Sequence, residues 1–366
     1  MTEVLLAATQ FLSKEFQLPR VQSFKLGACN LDKVQTLIIA EAGVNHNGSR
    51  ELALRLVDAA VDSGADVVKF QTFLASELST QAAKLADYQK KNTGSDVTQQ
   101  DLLRALELSQ DDFRFIKSYC DRVGIEFLST AFDFTSLNFL KTLEMKRWKI
   151  PSGEITNLPY LESIAELHQP ILLSTGMSDL AEVESAVNVI KKKSTNNPDL
   201  TLLHCTTEYP TPFAEVNLNA MPQLGIHFSL PFGYSDHTLG IEVPIAAVAL
   251  GAKVIEKHLT LDRQMVGPDH RASLEPHEFK KMVQSIRNIE NALGSTTKIP
   301  TASEIKNREI ARKSIVASRD IKAGETMTEH NLTTKRPGTG INPMKWYQII
   351  GQASPRSFLK DEVIEL

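Results

Sequence analysis

GYSDHT at 233–238 and EKHLT at 256–260 each end a short run of strand-forming residues, IHFSLPFGYSD (226–236) and KVIEKH (253–258). Each therefore delivers one imidazole, His237 or His258, to the end of a strand. Two histidines on neighbouring strand ends can grip one divalent metal ion; alternatively, each caps its strand with a hydrogen bond. Outward from this pair the same pattern recurs, with apolar runs at LIIAE (37–41), DVVKFQ (66–71), IEFLSTA (125–131), RWKIPS (147–152), PILLSTG (170–176) and TLLHCTT (201–207). Amphipathic stretches separate them, for example ELALRLVDAAVDSG (51–64) and LAEVESAVNVIKKK (180–193), with apolar residues recurring at three and four. Eight such repeats over about 260 residues match a (β/α)8 TIM barrel, here residues 36–294, in which the strand carboxyl ends converge on one face and carry the active site.

That rule selects Glu41, Lys69 with Gln71, Thr130, Ser152 with Glu154, Ser174, Thr206, Asp236 with His237, and His258. Helix capping accounts equally well for Ser152, Ser174 and Thr206, but not for Lys69, Glu41 or both histidines. Lys69 has two chemical readings, a Schiff-base nucleophile or a cation that holds a phosphate or carboxylate. The hydroxyls of Thr130, Ser152 and Ser174 and a second cation, Lys149, favour the anion site, although Lys149 could equally point out of the barrel. Glu41 and Asp269 are carboxylates able to bind sugar hydroxyls or handle protons. A two-histidine site leaves positions open for water and substrate oxygen, and its oxygen-rich surroundings favour Mn or Mg over zinc. His204 and Cys205 are adjacent, so at most one of them faces the interior.

With 366 residues, 42% hydrophobic and 23% charged, the chain has length for one large domain and one small one. A formal charge of −4 and a pI near 6.2 supply no basic field for nucleic acid or an anionic membrane. Cys29, Cys120 and Cys205 form no CxxC pair and indicate free thiols in a reducing compartment. The first twenty residues lack the marks of a signal peptide, and no apolar run approaches the roughly 18 residues of a membrane span, so a cytoplasmic location is expected. Residues 1–35 read as an N-terminal extension with a small hairpin at FKLGACNLDKVQ. The polar segment at about 74–109 is long enough for a lid over the site, or for a plain surface excursion. Residues 295–310 read as a linker, and 311–366, punctuated by KAGE and RPGTG, as a second domain whose small core calls for packing on the barrel or on a second subunit.

Taken together, EAGVNHNGS (41–49), GADVVKFQTF (64–73), KIPSGE (149–154), LSTGM (173–177), YPTP (209–212), GYSDHT and GPDHRASLEP (267–276) resemble the sialic acid synthase family. KRPGTG (335–340) resembles that family's antifreeze-like SAF domain. The resemblance implies a metal-dependent condensation of phosphoenolpyruvate with an N-acylated mannose-type aldehyde, N-acetylmannosamine, to a nine-carbon sialic acid and phosphate. It assigns the metal to His237 and His258, and phosphoenolpyruvate to Lys69, Thr130, Lys149, Ser152, Ser174 and Ser235. The sugar falls to Glu41, Gln71, Tyr209 and Asp269, with Glu154 as a proton-handling group. Arg336 would reach the N-acyl group from the SAF domain of the second subunit in a domain-swapped homodimer. Thr207, Pro151 and Ala131 depart from the Asn, Gly and Pro common at these positions, and the N-terminal segment is longer than the family leads one to expect.

Legionaminic acid synthases, which take 2,4-diacetamido-2,4,6-trideoxymannose, resemble the chain about as closely, and the motifs do not separate the two. The pseudaminic acid branch fits EAGVNHNG less well. Other classes left open are a Schiff-base aldolase using Lys69 and an inactive barrel that serves as a binding scaffold.

Overall fold

The computed structural model describes residues 35–87, 89–90, 98–194 and 198–366. The hairpin expected within residues 1–35 lies outside them. Eight parallel strands form the barrel: β1 (Leu37–Gly43), β2 (Val67–Thr72), β3 (Glu126–Ala131), β4 (Trp148–Ile150), β5 (Ile171–Ser174), β6 (Leu200–His204), β7 (Phe232–Asp236) and β8 (Val254–His258). Hydrogen-bonded neighbours run β3-β2-β1-β8-β7-β6-β5-β4, and the two end strands, β3 and β4, lie side by side, so the barrel is nearly closed. The strands read as continuous apolar runs because helices cover their outer face while side chains fill the inside.

The helices of the first unit are α1 (Arg50–Ser63), α2 (Ala75–Leu78), α3 (Gln99–Leu106), α4 (Gln110–Val123), α5 (Phe134–Lys141), α6 (Leu158–Ala165), α7 (Leu180–Lys193), α8 (Ala220–Phe228), α9 (Glu242–Ala249) and α10 (Pro276–Leu293). Short polar residues start them at the strand carboxyl ends. Ser49 accepts from Leu52 N–H, Asp133 from Ser136 N–H, and Asp179 closes a capping box with Glu182. Gly64 ends α1 at φ 79°, a left-handed conformation in which a Cβ is costly.

Two strand expectations need correction. Residues 226–228 belong to α8, which ends at Ser229 with φ 53°, so β7 begins only at Phe232. Apolar runs of this length do not distinguish strand from helix, and Pro231 interrupts the ladder. The fourth strand stops at Ile150, because Pro151 has no N–H to donate and Ser152–Glu154 turns into a 3₁₀ helix.

The chain divides between Leu293 and Gly294 into two compact units. The second contains α11 (Ala302–Ala311), within the stretch read as a linker, then β9 (Ser314–Ala317) antiparallel to β10 (Leu332–Lys335) and the short α12 (Trp346–Ile349). Thr301 starts α11 with a capping box to Glu304, a signal legible in TASE. Ile315, Ile321, Met327, Leu332, Phe358 and Ile364 form this unit's own core.

Candidate active site

A cavity of about 450 Å³ opens at the carboxyl ends of the barrel strands. Strand alternation selects what enters it. Lys69 and Gln71 project inward from β2, Ser235 and His237 from β7 and its end, and Glu256 and His258 from β8. Glu41 lies in register with both Lys69 and His258, and Ser235 with Glu256, so the chemistry converges from four adjacent strands.

The floor holds two buried lysines and two buried carboxylates. Lys69 Nζ is 2.8 Å from Glu41 Oε2, 3.6 Å from Glu256 Oε2 and 3.4 Å from Thr130 Oγ1. Lys149 Nζ lies 3.2 Å from Glu256 Oε1, which also accepts from Ser235 Oγ at 3.0 Å. Gln71 donates to Glu41 at 3.1 Å. Lys149 therefore points into the barrel. Burial works against the charge on Glu256, yet the Lys149 and Lys69 charges outweigh it and hold the carboxyl at about 2. Burial also disfavours the charged Lys69, but Glu256 and Glu41 reverse this and raise its pKa. A Schiff-base nucleophile needs the opposite shift, so Lys69 suits anion binding, whereas burial pulls Lys149 down despite Glu256 beside it.

Hydroxyls complete that floor. Ser174 Oγ and Thr207 Oγ1 are buried in the cavity wall without a hydrogen-bond partner among the described residues, although buried polar groups are normally paired. Ser152 Oγ accepts from Gly176 N–H at 3.0 Å and sits 3.2 Å from Cys205 Sγ. A Cβ at residue 176 would lie 2.6 Å from Thr207 Oγ1 and 2.8 Å from Ser152 Oγ, so glycine is required for these hydroxyls to converge. Thr207 presents a hydroxyl that can donate.

Above the floor, the His237 and His258 rings lie 5.5 Å apart between centroids, with the Tyr209 ring 4.2 Å from His237. His237 Nδ1 donates to the Thr206 carbonyl at 2.7 Å, which leaves Nε2 with a free lone pair. Burial lowers His237 to about 4 and His258 well below its usual value, so both are neutral and able to ligate. Asp269 Oδ2 stands 3.8 Å from His258 Nδ1, which has no hydrogen-bond partner among the described residues. Burial, then Glu41, pushes the Asp269 carboxyl up to about 7. Among the described residues no cluster of three His, Cys, Asp or Glu forms a metal site.

Of the residues selected from sequence, Glu41, Lys69, Gln71, Thr130, Lys149, Ser152, Ser174, Tyr209, Ser235, His237, His258 and Asp269 all line the one cavity. Glu154 does not; it accepts from Asn157 Nδ2 at 2.6 Å at the start of the following helix. Arg336 belongs to the second unit, where its Nε donates to the Ala311 carbonyl. Two of the strand-end residues face away. Thr206 contributes its carbonyl to His237, and Asp236 pairs with Lys257 behind the strand. His204 also faces away, bonded through Nε2 to Val216 O, whereas Cys205 lines the cavity. Glu256 is the chief residue missed; it stands two positions before His258, and strand alternation carries the signal for it.

The segment after β2 supplies one wall. Among its described residues Leu78, Gln89, Gln99, Leu102, Leu103 and Leu106 line the cavity, together with Phe73 and Phe132 just beyond β2 and β3.

A model of the NeuB family matches residues 56–298, and a SAF domain model matches 312–365. The chain is 52% identical over 330 residues to an N,N'-diacetyllegionaminic acid synthase of Campylobacter jejuni, covering 90% of this chain and 99% of that protein. It is 50% identical over 316 residues to the synthase of the same name from Legionella pneumophila, covering 86% and 89%. The crystal structure of N-acetylneuraminic acid (sialic acid) synthetase from Leptospira borgpetersenii in complex with citrate superposes with a TM-score of 0.66 at 36% identity, covering 75% of this chain and 90% of that one. The chain belongs to the NeuB family and is an enzyme of the sialic acid synthase type, a (β/α)8 barrel followed by a SAF domain.

Proposed function

We propose that the chain condenses phosphoenolpyruvate with open-chain 2,4-diacetamido-2,4,6-trideoxymannose, giving N,N'-diacetyllegionaminic acid and phosphate. The observation that carries the reaction type is the buried floor of Lys69, Lys149 and unpartnered hydroxyls directly beneath a neutral imidazole pair. The choice of acceptor follows the relatives at 52% and 50% identity, both legionaminic acid synthases. It puts the second expected sugar ahead of N-acetylmannosamine, within the same family.

Lys69, Lys149, Thr130, Ser152, Ser174, Ser235 and Thr207 hold the phosphate and carboxylate of phosphoenolpyruvate. C3 of the enol attacks the aldehyde carbon and forms the new C–C bond; water adds to the resulting oxocarbenium carbon C2. The tetrahedral hemiketal phosphate then expels phosphate by C–O cleavage as its hydroxyl proton leaves. Glu41 and Asp269 face the acceptor and handle the proton that turns the aldehyde oxygen into a hydroxyl, while Gln71 and Tyr209 orient the sugar. The lysine charges act on groups that are anionic throughout, so they mainly serve binding.

The donor set fits a divalent cation, Mn or Mg, held by the neutral His237 and His258, with water and substrate oxygen completing its shell. When bound, that ion supplies Lewis-acid polarisation of the aldehyde. Arg336 of a second copy of the chain would contact an N-acyl group, which makes a domain-swapped homodimer part of the site. A cytoplasmic location is supported by the unpaired thiols Cys120 and Cys205 and by the lack, among the described residues, of a helix able to cross a membrane.

The test is phosphate release from phosphoenolpyruvate with Mn, comparing the trideoxy diacetamido sugar with N-acetylmannosamine, each with and without chelator. Chelator-sensitive release with the first sugar alone is expected. Release with N-acetylmannosamine alone would overturn the acceptor, and chelator-resistant release would overturn the metal.

A further inference from the structure

Val44, Phe73 and Leu106 form a small apolar cluster separate from the barrel core, with Leu78, Leu102, Leu103 and Phe132 packed on it only partly buried. Their remaining apolar surface faces the cavity, beyond the ends of β2 and β3. This wall is anchored rather than loose. Leu74 N–H donates to Asp133 at 2.8 Å, Ala75 N–H donates to Glu107, and Gln100 donates to the Ser79 carbonyl at 2.9 Å. Its two polar members are engaged through their oxygens, Gln99 Oε1 accepting from Ser79 Oγ and Gln89 Oε1 from Ala86 N–H. Among the described residues that line the cavity, Lys69 and Lys149 are the only cations, and both are ion-paired at the floor. An acceptor whose aldehyde carbon lies over that floor has the apolar wall within the same cavity for its far carbons. Against the leucine and phenylalanine side chains a hydroxyl or phosphate would give up water without gaining a partner, whereas a methyl group would be buried favourably.

We propose that the wall of Phe73, Leu78, Leu102, Leu103 and Phe132 selects the acceptor, receiving the methyl of a 6-deoxy carbon and an acetamido methyl and rejecting a hydroxylated or phosphorylated terminal carbon. This rests on the acceptor reading above, and the two are tested by separate arms. The first arm measures kcat/KM of the unaltered enzyme for the trideoxy diacetamido sugar, N-acetylmannosamine and N-acetylmannosamine 6-phosphate. The expected preference for the first sugar is at least about 10-fold. An equal or reversed preference overturns the acceptor reading and the wall with it.

The second arm uses Leu102→Asn/Leu103→Asn, which places amides in the wall at little change of volume. The preference should fall about 10-fold through the sugar KM, while the phosphoenolpyruvate KM, set at the floor, stays within about twofold. A preference kept intact by the variant overturns the wall and leaves the acceptor standing. Leu78→Gln, on the other helix, gives the same readout should the double variant fold poorly.

Discussion

The inner and outer faces of β7 and β8 carry the same kinds of residue and do opposite things. On the inner face Glu256 meets two lysines and Ser235, while nearby hydroxyls remain unpartnered. One residue along, Lys257 turns outward and lies 2.6 Å from Asp236, with both side chains fully buried. Lys257 also donates to the Thr238 carbonyl, and Asp236 accepts from Thr238 N–H at 3.0 Å and Oγ1 at 3.1 Å. Among the described residues the outer pair leaves no side-chain oxygen or nitrogen unpartnered, and it holds the GYSDHT turn that projects His237. The inner group is charge-balanced but not saturated, so an incoming anion finds donors. Burial does not distinguish a structural ion pair from a binding floor; unmet hydrogen-bonding capacity does.

The comparison can be broken from either side. Removing both imidazoles, His237→Ala with His258→Ala, should lower kcat by at least about 10³-fold in steady-state assays with saturating substrates, the size expected when a transition-state electrostatic stabiliser is lost. Normal turnover would place the chemistry elsewhere in the cavity. Lys69→Met should raise the phosphoenolpyruvate KM by about 10²-fold, the worth of a charge-assisted contact or two; because it also leaves Glu41 buried without its cation, the melting temperature falls as well, and the KM effect is what marks the inner face.

Lys257→Met is the counterpart on the outer face. It leaves Asp236 buried and unpaired, which costs about 3–5 kcal/mol of stability, measurable by denaturant unfolding, while the phosphoenolpyruvate KM of the surviving folded enzyme stays near that of the parent. A large KM effect with unaltered stability would erase the distinction between the faces. For Arg336→Ala we expect a sugar KM raised about 10-fold in a folded dimer; an unchanged sugar KM would remove the second unit from the site.

The smallest expected effect concerns pH. Burial lowers His46 and His270 to about 4, at positions other than the His237 and His258 pair. In the unfolded chain these imidazoles take up protons near the usual 6.5, so the unfolded state binds more protons between about 6.5 and 4. Their contribution to stability is therefore complete above about 6.5 and is lost as pH falls toward 4. Melting curves across that window should show the loss, and it should be reduced in His46→Gln.

Much of the site was legible because the barrel converts a local pattern into a spatial rule. Short apolar runs ending in Glu41, Lys69, His237 and His258 recur with helices between them, and parallel strands bring their ends together. Glu256 escaped because His258 alone was taken from its strand, although alternation from His258 reaches it. The wall of Phe73, Leu78, Leu102 and Phe132 carried no chemical signal; its members are ordinary apolar residues in connections, spread over about sixty positions, and only the packing of the segment after β2 gathers them.

What the sequence by itself determined was periodic and local: the strand–helix alternation, the caps at Ser49, Asp133, Asp179 and Thr301, and the polar strand ends. What the tertiary structure decided was direction and pairing. Lys149 sits in a three-residue strand buried on both faces, where parity has no hydrophobic contrast to reveal it, and it is the meeting with Glu256 across the barrel that shows it points inward. Lys257, next to His258, falls on the outer face by the same alternation that reaches Glu256, but its pairing with Asp236 appears only in the structure. Backbone period follows from bond geometry along a few residues, whereas the face a buried charge selects depends on partners distant in sequence.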